Sequence, residues 1–355
     1  MSVTEKVLAK RPQNFARKLD EGSKVCCLNS KDILNVLKDD NVILMACNTR
    51  IKHVIPGIMR AAQELDAVVG FELAKSEGGL PVGYTGMNPK MYVDAIIKYA
   101  EEVGYTVPFY IHGDHITVKA DTEEEIESSR ELIASELKEG YTSFAIDASY
   151  NEMDANVRIT TDLAQPIIEQ GFGLEVEVGE IKGDKDITTV EDAVEYIDKL
   201  NENGVHPDML AINNGSKHGN YEADEKVHID LERTLDIYNA IKDKGVVIAQ
   251  HGITGTPLNM VGQFADNGIR KGNVGTNWQN IAHEHLPGEL VKEMSDWSDE
   301  TGGAIKHATK EFYKKLENIP EENKKAISDE AYESAKDFIK AFRSDGTASK
   351  VVNNL

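Results

Sequence analysis

The chain has 355 residues, 40% of them hydrophobic and 28% charged, which is ample for a sizeable core. Its formal net charge of −22 argues against nonspecific binding to nucleic acid or to a membrane surface, because the field of either would repel it. A small phosphorylated ligand is not excluded, since helix N-termini, glycine-rich backbone N–H groups or a metal can hold an anion against the global field. No apolar run reaches the roughly 20 residues that cross a bilayer, and Met1 to Asp20 lacks the apolar stretch of a secretory signal. Cys26, Cys27 and Cys47 form neither an even disulfide set nor a C-x-x-C pair. A cytoplasmic protein is expected.

Residues 1–40 read as a helical extension. Ser30 is placed as the N-cap of a short helix over Lys31 to Lys38, with Ile33, Leu34 and Leu37 on one face. A strand–helix rhythm then begins. Val42 to Ala46 predicts strand one, Ile55 to Leu65 a helix, and Ala67 to Phe71 strand two. Asn88-Pro89 opens the next helix as cap and first residue, with Val93, Ile96, Ile97 and Ala100 as its apolar stripe. Strand three is Val107 to Ile111, running into His112-Gly-Asp-His115. Alternation puts His112 and Asp114 on one face and His115 on the other unless the strand ends there, and Gly113 offers a place to end it.

Asp121 with Glu124 predicts a capped helix ending near Gly140, and Ser143 to Ile146 is strand four. Val157 to Gln170 is helical, and Leu174 to Val178 is strand five. Thr189 with Asp192 caps a further helix before strand six at Met209 to Ile212. Leu231 to Lys242 is a helix, Val246 to Ala249 strand seven, and Leu258 to Asn267 a short helix before strand eight, around Lys271 to Val274. Eight such alternations predict parallel strands with right-handed crossovers. A closed (β/α)8, or TIM, barrel is expected, with an open doubly wound sheet as the alternative. The whole chain, 1–355, is read as one barrel domain. Helices over 286–355, such as Lys306 to Leu316 and Asp329 to Arg343, would pack on it, and the tail after Gly346 is expected to be mobile.

In a parallel barrel the catalytic groups gather at the C-terminal strand ends. Those ends here carry Asn48, Asp114-His115, Asp147, Glu175 and Glu177, His218-Gly219, His251-Gly252, and Asn273 to Thr276. Three histidines just past three strands suit a metal with an open coordination position. The glycine-bearing segments Gly219 and Gly252 to Gly255 suit a phosphate, although such turns are often only turns.

Five segments in order then resemble the class II, metal-dependent ketose-bisphosphate aldolases. They are His112-Gly-Asp-His115, Ile146-Asp-Ala-Ser149, Glu175-Val-Glu-Val-Gly179, His218-Gly-Asn-Tyr221 and His251-Gly-Ile-Thr-Gly255, spread over Val42 to Asn277. The resemblance implies Zn2+ or another divalent metal on His115, His218 and His251, with Glu177 and Asp147 as further metal-site carboxylates. It implies Asp114 as the acid–base group and a phosphate on Gly219, Gly252 and Thr254, with a monovalent cation as a candidate companion. Asn48, Asn273 and Thr276 would contact substrate. His112 is left without a role, and Gly113 is read as the residue that lets Asp114 and His115 serve one site.

The implied reaction is reversible cleavage of a ketose 1,6-bisphosphate, fructose 1,6-bisphosphate first, in glycolysis and gluconeogenesis, by a homodimer or homotetramer. Tagatose 1,6-bisphosphate is the alternative substrate, and a non-catalytic accessory subunit the alternative role. A zinc hydrolase is disfavoured for want of a nucleophile. Departures from the family pattern lie at the sugar end. Gly275 stands where the family carries a carboxylate, the loop that in the family carries paired acids here reads Gly183-Asp-Lys-Asp186 with no proton donor assigned, and no C-terminal arginine matches the one that reaches the distal phosphate.

Overall fold

The computed structural model describes residues 5–179, 187–217, 219 and 228–355. Eight parallel strands close into a barrel in chain order. They are β1 (Leu44–Asn48), β2 (Val69–Ala74), β3 (Phe109–Thr117), β4 (Ser143–Asp147), β5 (Gly173–Val178), β6 (Met209–Ile212), β7 (Val247–Gln250) and β8 (Ile269–Val274). The strand residues are buried almost throughout, as expected of strands covered by side chains within and helices without. This is the predicted (β/α)8 barrel, and the open-sheet alternative falls away. Among the described residues no helix is long and apolar enough to cross a membrane.

The crossover helices start where their caps predict. Asn88 accepts from the Met91 N–H, and Thr189 and Asp192 form a reciprocal capping box. Two caps move by a residue. The first regular helix, Ser30–Leu37, is capped by Asn29, whose side chain accepts from the Lys31 N–H. Ser30 instead bonds the Ser143 hydroxyl at 2.7 Å. The helix Glu123–Glu139 is capped by Thr122 rather than Asp121.

The C-terminal helices close the outer layer. The helix Glu321–Ala341 lies along Ile55–Glu64, and a Cβ at Gly57 would collide with the Ser328 carbonyl, so the two backbones touch. The tail expected to be mobile is instead a helix, Thr347–Asn354, with Ala348 and Val351 buried. Its start is tied down by Gly346 N–H to Leu65 and Ala348 N–H to Asp66. The apolar residues at 348 and 351 fall on one helical face, and that spacing is what lets so short a segment dock. The three cysteines are free and buried. Burial pushes the Cys26 thiol up to about 12, so it is unreactive.

The barrel interior departs from the usual apolar filling. Beneath the C-terminal rim lie Glu72, His112, Glu175 and Lys271, each 0–1% exposed. Glu72 sits opposite His112 in the β2–β3 register. Period-two alternation then carries each inner face upward, from His112 to Asp114, from Glu175 to Glu177 and from Lys271 to Asn273. A charged layer therefore underlies the site.

Candidate active site

The β3–β4 register shifts between Gly113 and Ile116. Within that bulge His115 adopts a left-handed backbone, φ 39°, a strain that a non-glycine residue rarely bears away from function. The bulge returns His115 to the side that Asp114 already faces. The expectation placed this role on Gly113, and here the structure differs. Gly113 stays in the strand, and it is a glycine because a Cβ there would collide with the buried Glu136 carboxyl group.

Asp114, 3% exposed, accepts from Asn48 Nδ2 at 2.8 Å and from Asn273 Nδ2 at 2.9 Å, one amide on each oxygen. Asn273 is oriented in turn by Lys271, whose Nζ donates to its Oδ1 at 2.8 Å. Lys271 also pairs with Glu175 at 2.9 Å and approaches Glu72 at 3.3 Å. Burial alone would raise the Asp114 pKa. The imidazole of His115 and the ammonium of Lys271 outweigh it and hold the carboxyl well below the usual range. The same lysine resolves its two glutamates. Burial, and then Asp114, pushes the Glu72 pKa up, whereas Glu175 is held low against its own burial by Lys271.

His115 Nδ1 faces Glu177 at 3.2 Å and Asp147 at 3.3 Å. His251 Nε2 faces Glu175 at 2.8 Å. A ring nitrogen that faces a carboxylate carries the proton. The remaining nitrogens, His115 Nε2 and His251 Nδ1, point at each other 2.6 Å apart. Two imidazole lone pairs so directed repel unless a proton is shared between them, and a divalent ion bound by both, at about 2.0–2.1 Å from each, would set them further apart. Asp114, His115 and His251 bring ligand atoms within 4.8 Å of one another, as do His115, Asp147 and Glu177. The donor set therefore fits a divalent metal. His218, the third expected histidine, lies outside the described residues, as do Tyr221 and the loop Gly183 to Asp186.

The remaining expected residues ring a cavity of about 690 Å³, lined by Asn48, Gly219, Gly252, Thr254, Asn273 and Thr276 among others. Gly252 has φ 68°, and a Cβ there would collide with the Lys217 carbonyl, so only glycine serves. Thr254 accepts from the Asn277 N–H at 3.1 Å, joining the β7 loop to the first turn of the helix Thr276–His285.

Residues 28–347 match the family described as fructose-bisphosphate aldolase class-II. The chain belongs to that family. This class II aldolase is 31% identical over 241 residues to the fructose-bisphosphate aldolase of Geobacillus stearothermophilus, covering 66% of this chain and 75% of that one. It is 26% identical over 253 residues to the probable fructose-bisphosphate aldolase of Bacillus subtilis, covering 70% and 81%. Among solved structures it resembles the YdjI aldolase from Escherichia coli K12, with a TM-score of 0.65 and 20% identity over 91% of this chain and 99% of that one. As a member of the family it is a carbon–carbon lyase acting on a phosphorylated sugar.

Two functional neighbours of this aldolase's site escaped sequence reasoning. Neither Lys271 nor Arg50 was among the expected site residues. Parity would have exposed Lys271, which shares the inner face of β8 with Asn273. Arg50 carried no such signal.

Proposed function

We propose that this aldolase reversibly cleaves a ketose 1,6-bisphosphate, fructose 1,6-bisphosphate foremost, to dihydroxyacetone phosphate and glyceraldehyde 3-phosphate, in glycolysis and gluconeogenesis. The observation that carries the reading is Asp114, oriented by two amides beside the facing nitrogens of His115 and His251. His115 and His251, with Glu177 and Asp147 and with His218 from outside the described residues, would hold Zn2+ or a related divalent ion. When bound, that ion supplies Lewis acidity at the substrate carbonyl. Asp114 takes the proton from the hydroxyl of the aldehyde half as the carbon–carbon bond breaks, and returns it in the addition direction.

Asn48 and Asn273 keep the Asp114 carboxylate turned toward the cavity. Gly219, Gly252 and Thr254, close to the N-terminus of the helix Thr276–His285, suit the phosphate on the ketone half. A monovalent cation would be at home beside that phosphate. Buried free thiols support a reducing, cytoplasmic setting, and assembly into a homodimer or homotetramer is expected.

The test is a substrate panel of fructose and tagatose 1,6-bisphosphates, with release of dihydroxyacetone phosphate followed before and after exhaustive chelation. Cleavage should stop on chelation and return with Zn2+. Turnover that survives chelation would falsify the reading, and a preference for the tagatose isomer would change the substrate alone.

A further inference from the structure

The cavity wall carries two cations, Arg50 and Lys306, that the reaction centre does not use. Arg50 follows β1. Its Nε pairs with Glu77 at 2.6 Å, and its Nη1 lies 3.4 Å from the Thr276 hydroxyl and 3.3 Å from Gln279 Oε1. Its Nη2 has no hydrogen-bond partner among the described residues and reaches the space beside Gly275. A Cβ at Gly275 would stand 3.0 Å from that Nη2 and 3.2 Å from Asn48 Oδ1. Gly275 has φ −121°, which does not itself call for glycine, so the missing side chain serves to admit the guanidinium.

Lys306 lines the same cavity and comes from the C-terminal region. Its Nζ lies 5.6 Å from the Tyr84 ring centroid, and among the described residues it makes no ion pair. Partial burial, and then the nearby Arg50 guanidinium, draws its pKa below that of an ordinary lysine. Glu77 pairs directly with Arg50 and acts on Lys306 only from a distance, so one carboxylate faces two cations. In a chain of net charge −22, an unpaired cation placed beside another at a cavity wall calls for an anionic ligand. Lys75, which follows β2, is a weaker candidate because its Nζ already donates to the Thr117 carbonyl and the Ser129 hydroxyl.

We propose that Arg50 Nη2 and Lys306 Nζ, admitted by Gly275, bind the distal phosphate on the aldehyde half of the substrate, within a single chain. The assignment rests on the aldolase reading above. It places the distal phosphate two strands round the rim from the Gly252 loop, since β7, β8 and β1 are neighbours in the closed barrel. Arg50 is linked to the reacting centre through Glu77 and Asn48, which donates to both Glu77 and Asp114. The distal end of the substrate and the acid–base group thus share one hydrogen-bonded framework.

The experiment compares 1,6-bisphosphates with the matching ketose 1-phosphates, which lack only the distal phosphate. Three enzymes are used: wild type, Lys306→Met and Lys306→Gln. Neither substitution strips a carboxylate of its partner, since Lys306 makes no ion pair among the described residues. The wild type should favour the bisphosphates. Each variant should raise the bisphosphate KM about tenfold, as expected for loss of a charge-assisted phosphate contact, with the 1-phosphate KM changed less than about twofold. Equal changes for both substrates, no change for either, or a wild type that cleaves both equally well would overturn this assignment and leave the aldolase reading standing. A wild type that cleaves none of the four would overturn both.

Discussion

At the scale of single residues, the site is governed by how few groups each charge touches. Asp114 has one amide on each oxygen and no spare partner for another role. Asp114→Ala should therefore retain bound metal, measured by elemental analysis, while turnover falls about 10²–10⁴-fold, the usual worth of a positioned acid–base group. Full activity in that variant would remove Asp114 from its role. Lys271 is the only cation that touches both Glu72 and Glu175 among the described residues. Lys271→Met leaves the Glu175 carboxylate buried without its counter-charge and lets the Asn273 amide turn. Denaturant unfolding should show a loss of about 3–5 kcal/mol, with turnover falling in whatever fraction stays folded.

His112 contributes one share of the pH dependence. Burial, and then Lys271, lowers its pKa from 6.5 to about 4, so between those values the unfolded chain binds more protons than the folded one. Its contribution is complete above pH 6.5 and is lost as pH falls toward 4. For wild type this group should cost about 2 kcal/mol on moving from pH 7 to pH 5, by proton linkage. In His112→Gln that share of the loss should vanish, and urea unfolding at both pH values measures the difference. An unchanged pH dependence would show that another group titrates.

At the scale of elements, the rhythm of apolar runs was legible because each strand is buried on both faces and each helix on one. Local caps were readable to within a residue. Asn29 and Thr122 replaced Ser30 and Asp121 because neighbouring polar residues compete for the same N–H groups and tertiary partners choose between them. Ser30 was drawn away by Ser143. The tail was misread because its apolar pair, Ala348 and Val351, is too small a signal without the groove that receives it. Deleting the residues after Gly346 should cost roughly 3 kcal/mol for the buried side chains. Truncation with no change in Tm would mean that the tail adds nothing.

At the scale of the whole molecule, a net charge of −22 makes the folded state repel itself, while Arg50 and Lys306 stand at the cavity wall. Screening should relieve the repulsion. Raising NaCl from ~10 mM to ~300 mM should lift Tm by about 2–4 °C, and calorimetry at both salt levels checks it. A fall in Tm would mean that surface ion pairs outweigh net repulsion. Over the same range, affinity for the bisphosphate should weaken, because it rests on opposite charges.

Composition and periodicity by themselves determined the barrel and the face on which chemistry lies, because both follow from burial along a regular backbone. The motif order determined the family, and with it Asp114, His115 and His251 as the groups to examine. Only the tertiary structure decided how those groups meet. The left-handed turn at His115 depends on a strand register, which is a relation between chains of residues far apart in sequence. Lys271 beneath the site and Arg50 at its wall were likewise out of reach, since a lone charged residue carries no period. Its role is set by the carboxylates that the closed barrel happens to place beside it.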